Sequence, residues 1–311
     1  MSDLSVLYDA PGPKAKTRNV IYTVIFFVVL AAVVWWVLDV MADKGQLARE
    51  KWDPFVTDSR VWTTYLLPAL GNTLKAAALS IVIALPLGAV LGIGRLSDHW
   101  WVRGPAGAIV EFFRAIPVLL LMLFAGAVYT RYTDISSEVR PLYAVVTGLV
   151  LYNASVIAEV VRAGILSLPR GQTDAAKAVG MRKGQLMSFV LLPQAVTAML
   201  PALVSQLVVI VKDTALGGAV LNFDELLRSV RVISANYGAN TIAAFTVVAL
   251  IFIAINFILT TFAGWLEGRI RRGKRSTGAV VTADPHETTG AGESVVPAPD
   301  PAEPPSDRDK G

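Results

Sequence analysis

The sequence predicts an all-α protein that crosses a membrane several times. Three observations carry that prediction. Hydrophobic residues make up 54% of the 311-residue chain and charged residues only 17%, with a mean hydropathy of +0.55. A soluble domain carries about a quarter charged residues. Apolar runs recur that reach the roughly 20 residues a helix needs to cross a bilayer, and charged clusters bound those runs.

Six spans are expected. The first covers about 19–41 and is too long, and too poor in small residues at its end, for a cleaved signal peptide. Trp35 and Trp36 within it are amphipathic anchors or lipid-facing bulk. The second covers about 66–94 and contains Gly88-x-x-x-Gly92, a small-residue face suited to close helix contact within the chain or against another subunit. The third, fourth, fifth and sixth cover about 106–130, 142–166, 194–220 and 241–266. Pro86, Pro117 and Pro201 are candidate points for a kink or break, and broken helices are common along transport pathways.

Lysine and arginine placement orients the chain. With the N-terminus inside, the inner segments hold 15 basic residues, among them Arg95, Arg103, Arg170 and Lys183. The outer segments hold 8, matched one for one by acids such as Asp58, Asp224 and Glu225. Residues 1–18 are then a cytoplasmic tail, 42–65 an external loop, and the loop between spans four and five is cytoplasmic. The segment 275–311 is rich in proline, glycine and acids and is expected to be a disordered cytoplasmic tail. After Gly278 it carries a net charge of −5, which leaves +9 on the rest of the chain, as suits basic loops beside anionic lipid.

The inner loop between spans four and five is the most informative stretch. Pro169 and Gly171 are expected to break the helix leaving span four. Thr173 can cap a short new helix with Asp174 in its first turn, where an anion suits the dipole. Ala175, Ala176 and Ala178 make that helix slim, and Gly180 is placed to end it. Residues 181–190 read as a second short segment carrying Arg182 and Lys183, with Pro193 at the entry to span five. A slim helix lying across the membrane surface has the shape to sit in a cleft on a soluble partner.

Asp174-Ala175-Ala176, three residues, Gly180, nine residues, Val190, one residue, then Leu192-Pro193 resembles the docking-loop signature of permease subunits in bacterial ATP-binding-cassette importers. Gly171-Gln172, Leu192-Pro193-Gln194-Ala195, Glu159-Val160-Val161-Arg162-Ala163-Gly164-Ile165 and Lys212-Asp213-Thr214 are similar to the branch that takes up polar amino acids such as histidine, glutamate, glutamine and arginine. The resemblance covers about 66–268. It implies the type I importer permease fold, with a core of five spans at 66–268 and the first span as an addition that brings the N-terminus inside. It also implies a second homologous permease, making a heterodimer, two ATPase subunits and an extracytoplasmic amino-acid-binding protein. ATP and magnesium are then expected on the ATPase, with no cofactor, metal or catalytic site in this chain. The resemblance assigns Asp174, Ala175, Ala176, Gly180 and Arg182 to ATPase docking. Two departures stand out. The family's usual glutamate at the head of the loop is Asp174, one methylene shorter, and its Arg-Gly-Thr-Pro appears as Arg114-Ala115-Ile116-Pro117, without the hydroxyl.

Ionisable residues inside spans are costly and are functional candidates. Lys212 and Asp213 are adjacent, so on a helix they point about 100° apart and do not simply neutralise each other. With Thr214 they are candidates for lining a pathway, or for pairing with neighbouring helices. Glu159 and Arg162 are spaced to face each other on span four, as a pathway element or a structural pair, and Glu111 and Arg114 share that spacing on span three. Lys75 is expected to snorkel.

The chain has no cysteine, which excludes disulfides and thiolate chemistry, and its two histidines, His99 and His286, are too few for a relay. No phosphate-binding Gly-x-x-x-x-Gly-Lys-Ser/Thr loop occurs, so the chain is not expected to hydrolyse ATP alone. Asn153-Ala154-Ser155 fits the glycosylation pattern but falls inside span four. The expected function is therefore the permease of an ATP-driven plasma-membrane importer of a polar amino acid, with glutamate, as in an actinobacterial uptake system, as first expectation. Glutamine, aspartate and basic amino acids stay open. A gradient-driven secondary transporter is the alternative, although it calls for inverted repeats and more intramembrane acids. A membrane scaffold or sensor is a third reading, in which Lys212 and Asp213 tolerate neutral replacement.

Overall fold

The computed structural model describes residues 12–275. The expected disordered tail, apart from its first residue, and the first residues of the N-terminal tail lie outside that range. The chain divides into units 1–271 and 272–311. The described residues of the first unit are built into helices. Helix α1 runs Pro13–Asp43 and is followed by two single-turn helices, α2 (Arg49–Trp52) and α3 (Pro54–Thr57). A π-helical turn at Val61–Leu66 leads without a break into α4 (Leu67–Gly94). Then come α5 (Trp100–Ala115), α6 (Val118–Tyr132), α7 (Arg140–Leu166), α8 (Arg170–Ala178) and α9 (Lys183–Gln185). A second π-helical turn, Leu186–Leu191, joins α9 to α10 (Leu192–Val220), and α11 (Leu226–Asn236) and α12 (Thr241–Arg275) complete the described chain.

Five helices among the described residues are long and apolar enough to cross a membrane, at Lys14–Asp43, Val61–Gly94, Arg140–Leu166, Lys183–Val220 and Thr241–Trp265. The expected third span is not one straight helix. It is the pair α5 and α6, bent by 99°. Ile116 is extended (φ −94°, ψ 128°) and Pro117 follows with ψ 132°, because the proline ring disfavours helical geometry in the residue before it. Pro86 and Pro201 stay inside α4 and α10. A single lost hydrogen bond is tolerated in a membrane helix where neighbours and local adjustment compensate.

Helix α7 is the hub, and α4, α5, α6 and α10 all pack on it. Lipid tails supply no hydrophobic force between membrane helices, so close van der Waals contact must hold them. Small residues provide it. A Cβ on Gly88 would lie 2.6 Å from Ile157 Cγ2, one on Gly92 2.6 Å from the Ala158 carbonyl, and one on Gly148 2.5 Å from Met122 Cγ. The Gly88-x-x-x-Gly92 face therefore serves contact within the chain, against α7. Asn153 is buried there and bonds Gln206 on α10 at 2.5 Å. Helix α1 stands apart from this packing. None of its apolar stretch is buried, and Trp35 and Trp36 are 69% and 62% exposed.

Candidate functional site

The short helix α8 lies between the hub and α10. Helix α7 ends at Leu166, and Pro169 (φ −57°, ψ 132°) precedes the first helical residue, Arg170. Here the expected start needs correction. Gly171 and Thr173 lie inside the helix, so Gly171 does not break it and Thr173 does not cap it, and Asp174 falls beyond the first turn. The reason is that Pro169 itself sets the turn into the helix, with no side-chain cap. The expected end does hold. Gly180 adopts φ +79°, its N–H donates to the Lys177 carbonyl at 2.9 Å, and the Met181 N–H donates to the Ala176 carbonyl at 3.1 Å. These two bonds form a Schellman closure, which requires the left-handed residue that glycine supplies without strain.

Asp174, Ala175, Gly180 and Arg182 are exposed, as is Val179 at 77%. Ala176 instead faces the body, where it joins a core with Ile165, Leu186, Leu191 and Met199. Side-chain bonds fasten α8 to α10, and α9 to the link between α4 and α5. Gln194 Nε2 on α10 donates to Gln172 Oε1 at 3.3 Å and to the Val190 carbonyl at 3.0 Å. Lys183 pairs with Asp98 and donates to the Leu96 carbonyl at 2.8 Å. That lysine holds the Asp98 carboxyl below its ordinary range. The segment after Gly180 is not a separate short helix, since α9 runs through the π-helical turn into α10 as one 38-residue rod.

Beside this region lies a charge network. Glu159 Oε2 accepts from Arg95 Nη1 at 2.7 Å, and its Oε1 accepts from Arg162 at 2.6 and 3.1 Å. Arg95 also reaches Glu111 at 2.8 Å, while Arg114 stands 3.8 Å from Glu159 and 4.0 Å from Glu111. The pairs Glu159–Arg162 and Glu111–Arg114, expected separately, are thus one cluster of three arginines and two glutamates. Arg95 joins them, a residue that sequence reasoning counts only as inner charge. Its partner is 64 positions away, so no local spacing reveals it.

Lys212, Asp213 and Thr214 lie in the far half of α10 and do not meet Glu159 or Arg162. Lys212 is exposed and borders an apolar cleft with Leu227, Phe245 and Phe252. Asp213 is half-buried, and Thr214 is buried with its hydroxyl bonded to the Val211 carbonyl at 2.7 Å. Among the described residues neither Lys212 nor Asp213 takes part in an ion pair within 4.0 Å.

Sequence reasoning counts Glu225 only as an outer charge. It is fully buried and caps α11, accepting from the N–H groups of Leu227 at 2.7 Å and Arg228 at 2.8 Å. Burial pushes its carboxyl up to about 7, against the opposing pull of those two bonds and of the Arg228 charge.

Residues 84–272 match the family of binding-protein-dependent transport system inner membrane components. The chain belongs to this family. As a member it is a multi-pass membrane permease, a transport subunit rather than an enzyme. The permease is 48% identical over 234 residues to the glutamate transport system permease protein of Corynebacterium glutamicum, covering 75% of this chain and 85% of that one. It is 32% identical over 215 residues to the glutamate/aspartate import permease protein of an Escherichia coli strain, covering 67% and 92%. Among solved structures, it resembles a chain of a crystallised amino acid ABC transporter with a TM-score of 0.61 at 24% identity, over 70% of the permease and 98% of that chain. A chain of the inward-facing MetNI methionine ABC transporter gives 0.55 at 22% identity, over 69% and 99%. These likenesses show the importer permease fold.

Proposed function

We propose that this permease imports an acidic amino acid, glutamate first, by alternating access driven by a separate ATPase that grips α8. The observation that carries the docking role is α8 itself, a nine-residue helix with an exposed small-residue surface, closed by Gly180, joined to α7 through Pro169 and bonded to α10 through Gln172. Asp174, Ala175, Gly180 and Arg182 present the contact surface, while Ala176 seats the helix against the body. A push on α8 reaches α7 through the short link at Pro169 and reaches α10 through the continuous rod from Lys183. Since α4, α5 and α6 pack on α7, the bundle moves as linked bodies, as alternating access requires.

The glutamate assignment is supported by the 48% identical glutamate permease. The excess of basic residues on the α8 side supports placing that side, and both termini, in the cytoplasm. The added first span α1, the five-span core and the C-terminal tail complete the organisation. A second homologous permease pairs with this one as a heterodimer, and an extracytoplasmic binding protein delivers the amino acid. ATP and magnesium are bound by the ATPase. Glu159 and Arg162 brace the cytoplasmic mouth of the pathway, and Lys212, Asp213 and Thr214 supply polar groups farther along it. The test is uptake of radiolabelled glutamate into vesicles holding the full assembly. ATP-dependent accumulation supports the proposal. Accumulation driven by an ion gradient without ATP would favour a secondary transporter.

A further inference from the structure

At the far end of α7 from α8, about 40 Å away at 1.5 Å per residue over 27 residues, a cleft of about 530 Å³ opens between the ends of α6, α7, α10 and the start of α11. Arg140 and Arg228 line it together with Thr130, Ser137 and Asn222, and no carboxylate residue does. Both arginines sit in the first turn of a helix, Arg140 in α7 and Arg228 in α11, where the helix dipole already presents positive potential and disfavours a cation. Arg140 is held by the Ile135 carbonyl at 2.7 Å and by the Thr130 hydroxyl at 3.5 Å, and it takes part in no ion pair among the described residues. Arg228 is paired through Nε with Asp224 at 2.8 Å. Arg140 Nε and Arg228 Nη1 are buried and unbonded. Two arginines at helix N-termini, one of them with no ion-pair partner among the described residues, make a site short of negative charge.

We infer that this cleft is an acceptor site for the carboxylates of an acidic amino acid entering the permease, with Arg140 and Arg228 as its specificity-determining residues. The inference rests on the glutamate import proposed above. The charge balance favours a dicarboxylic amino acid. Asp224 pairs with Arg228 and the neighbouring Glu225 also faces it, whereas Arg140 has no acid against it among the described residues, so the cleft keeps about one positive charge, centred on Arg140, matched by the one net negative charge of glutamate or aspartate. Glutamine has no net charge and a basic amino acid has the wrong sign. Guanidinium groups suit the task because they bind carboxylates in a two-pronged geometry. Thr130, Ser137 and Asn222 add neutral polar groups for the rest of the ligand.

The test uses the complete transporter in lipid vesicles with its binding protein, measuring glutamate uptake alongside association of the binding protein with the permease. Arg140→Gln and Arg228→Gln should each lower uptake about tenfold, as expected for loss of a charge-assisted bond, while binding-protein association changes less than about twofold. Arg140→Lys should restore most of the uptake. Ser137→Trp, which fills the cleft and leaves both arginines in place, should lower uptake as the glutamine variants do and guards against a folding failure in them. Unchanged uptake in the glutamine and tryptophan variants would overturn the inference. So would a loss of uptake that only tracks weakened binding-protein association, since the cleft would then receive a carboxylate of that protein. Wild-type vesicles that accumulate no glutamate would instead overturn the import proposal itself.

Discussion

Arg95 Nη1 donates to Glu159 Oε2 at 2.7 Å, and this bond ties the end of α4 to the hub helix α7. Glu159 also accepts from Arg162, while Arg95 also holds Glu111. The two residues are therefore shared members of a single network, with side-chain exposures of 15% for Arg95 and 25% for Glu159. Loss of Glu159 leaves three arginines facing one another around Glu111. Glu159→Gln should destabilise the permease by about 1–3 kcal/mol, the cost of stranding charged donors. Arg95→Gln should cost a comparable amount, and the double variant less than the sum of the two. Thermal unfolding of the four proteins in one detergent checks this, and strict additivity would show that the two residues do not act together.

Gly180 should resist substitution according to backbone shape rather than size. Nothing lies within 4 Å of a Cβ placed there, but its φ of +79° is a conformation other residues adopt with difficulty. Gly180→Val should cost about 1–2 kcal/mol locally and loosen the end of α8, whereas Gly180→Asn should be milder because asparagine tolerates the left-handed region. Protease sensitivity of the 171–193 loop should rise in the valine variant and stay near wild type in the asparagine variant.

The glycines of α4 should behave in the opposite way, limited by space. Gly92 faces the Ala158 carbonyl and Val161 so closely that an added side chain forces α4 and α7 apart. Gly92→Leu should destabilise by about 1–3 kcal/mol or more, while Gly71, with nothing within 4 Å, should accept alanine at little cost. Comparing the two variants by thermal melting separates helix packing from a general intolerance of glycine replacement.

Glu225 predicts a pH dependence with a definite sign. Its carboxyl is raised from 4.5 to about 7 in the fold, chiefly by burial. A raised acid binds its proton more tightly in the folded state. Its contribution is therefore fully present below about pH 4.5 and is lost as pH rises through about 7. The groups facing it are Arg228 and the N–H groups of Leu227 and Arg228, with Gly218 packed against the carboxyl. Stability should fall as pH rises from about 5 to about 8, and Glu225→Gln, which keeps an acceptor oxygen without titrating, should flatten that slope. Equal slopes for the two proteins would show that Glu225 does not titrate in this window.

Legibility from sequence follows the range of the interactions concerned. The long apolar helices lie close to the expected spans, although the fifth begins at Lys183 rather than near 194, because a spanning helix is set by composition over about twenty residues. The end of α8 at Gly180 is readable because a Schellman closure is local and needs glycine-like geometry. Its start is not, since Thr173 is a good capping residue but Pro169 has already opened the helix. Pro117 breaks its span while Pro86 and Pro201 do not, and a proline's own sequence does not say whether neighbouring helices compensate. The Arg95–Glu159 bond joins residues 64 positions apart, and the burial of Glu225 depends on α10 and α11 folding around it. Contacts of that range leave no periodic trace.

Coupling of this permease to an ATPase through α8 is read out by amino-acid-stimulated ATP hydrolysis. The assembled permeases, ATPase and glutamate-loaded binding protein would be compared with an assembly carrying Asp174→Lys and Gly180→Trp, with subunit assembly verified separately. Stimulation is expected in the first and its loss in the second. Stimulation that survives the double variant, or an ATPase that never associates with the permease, would contradict that coupling.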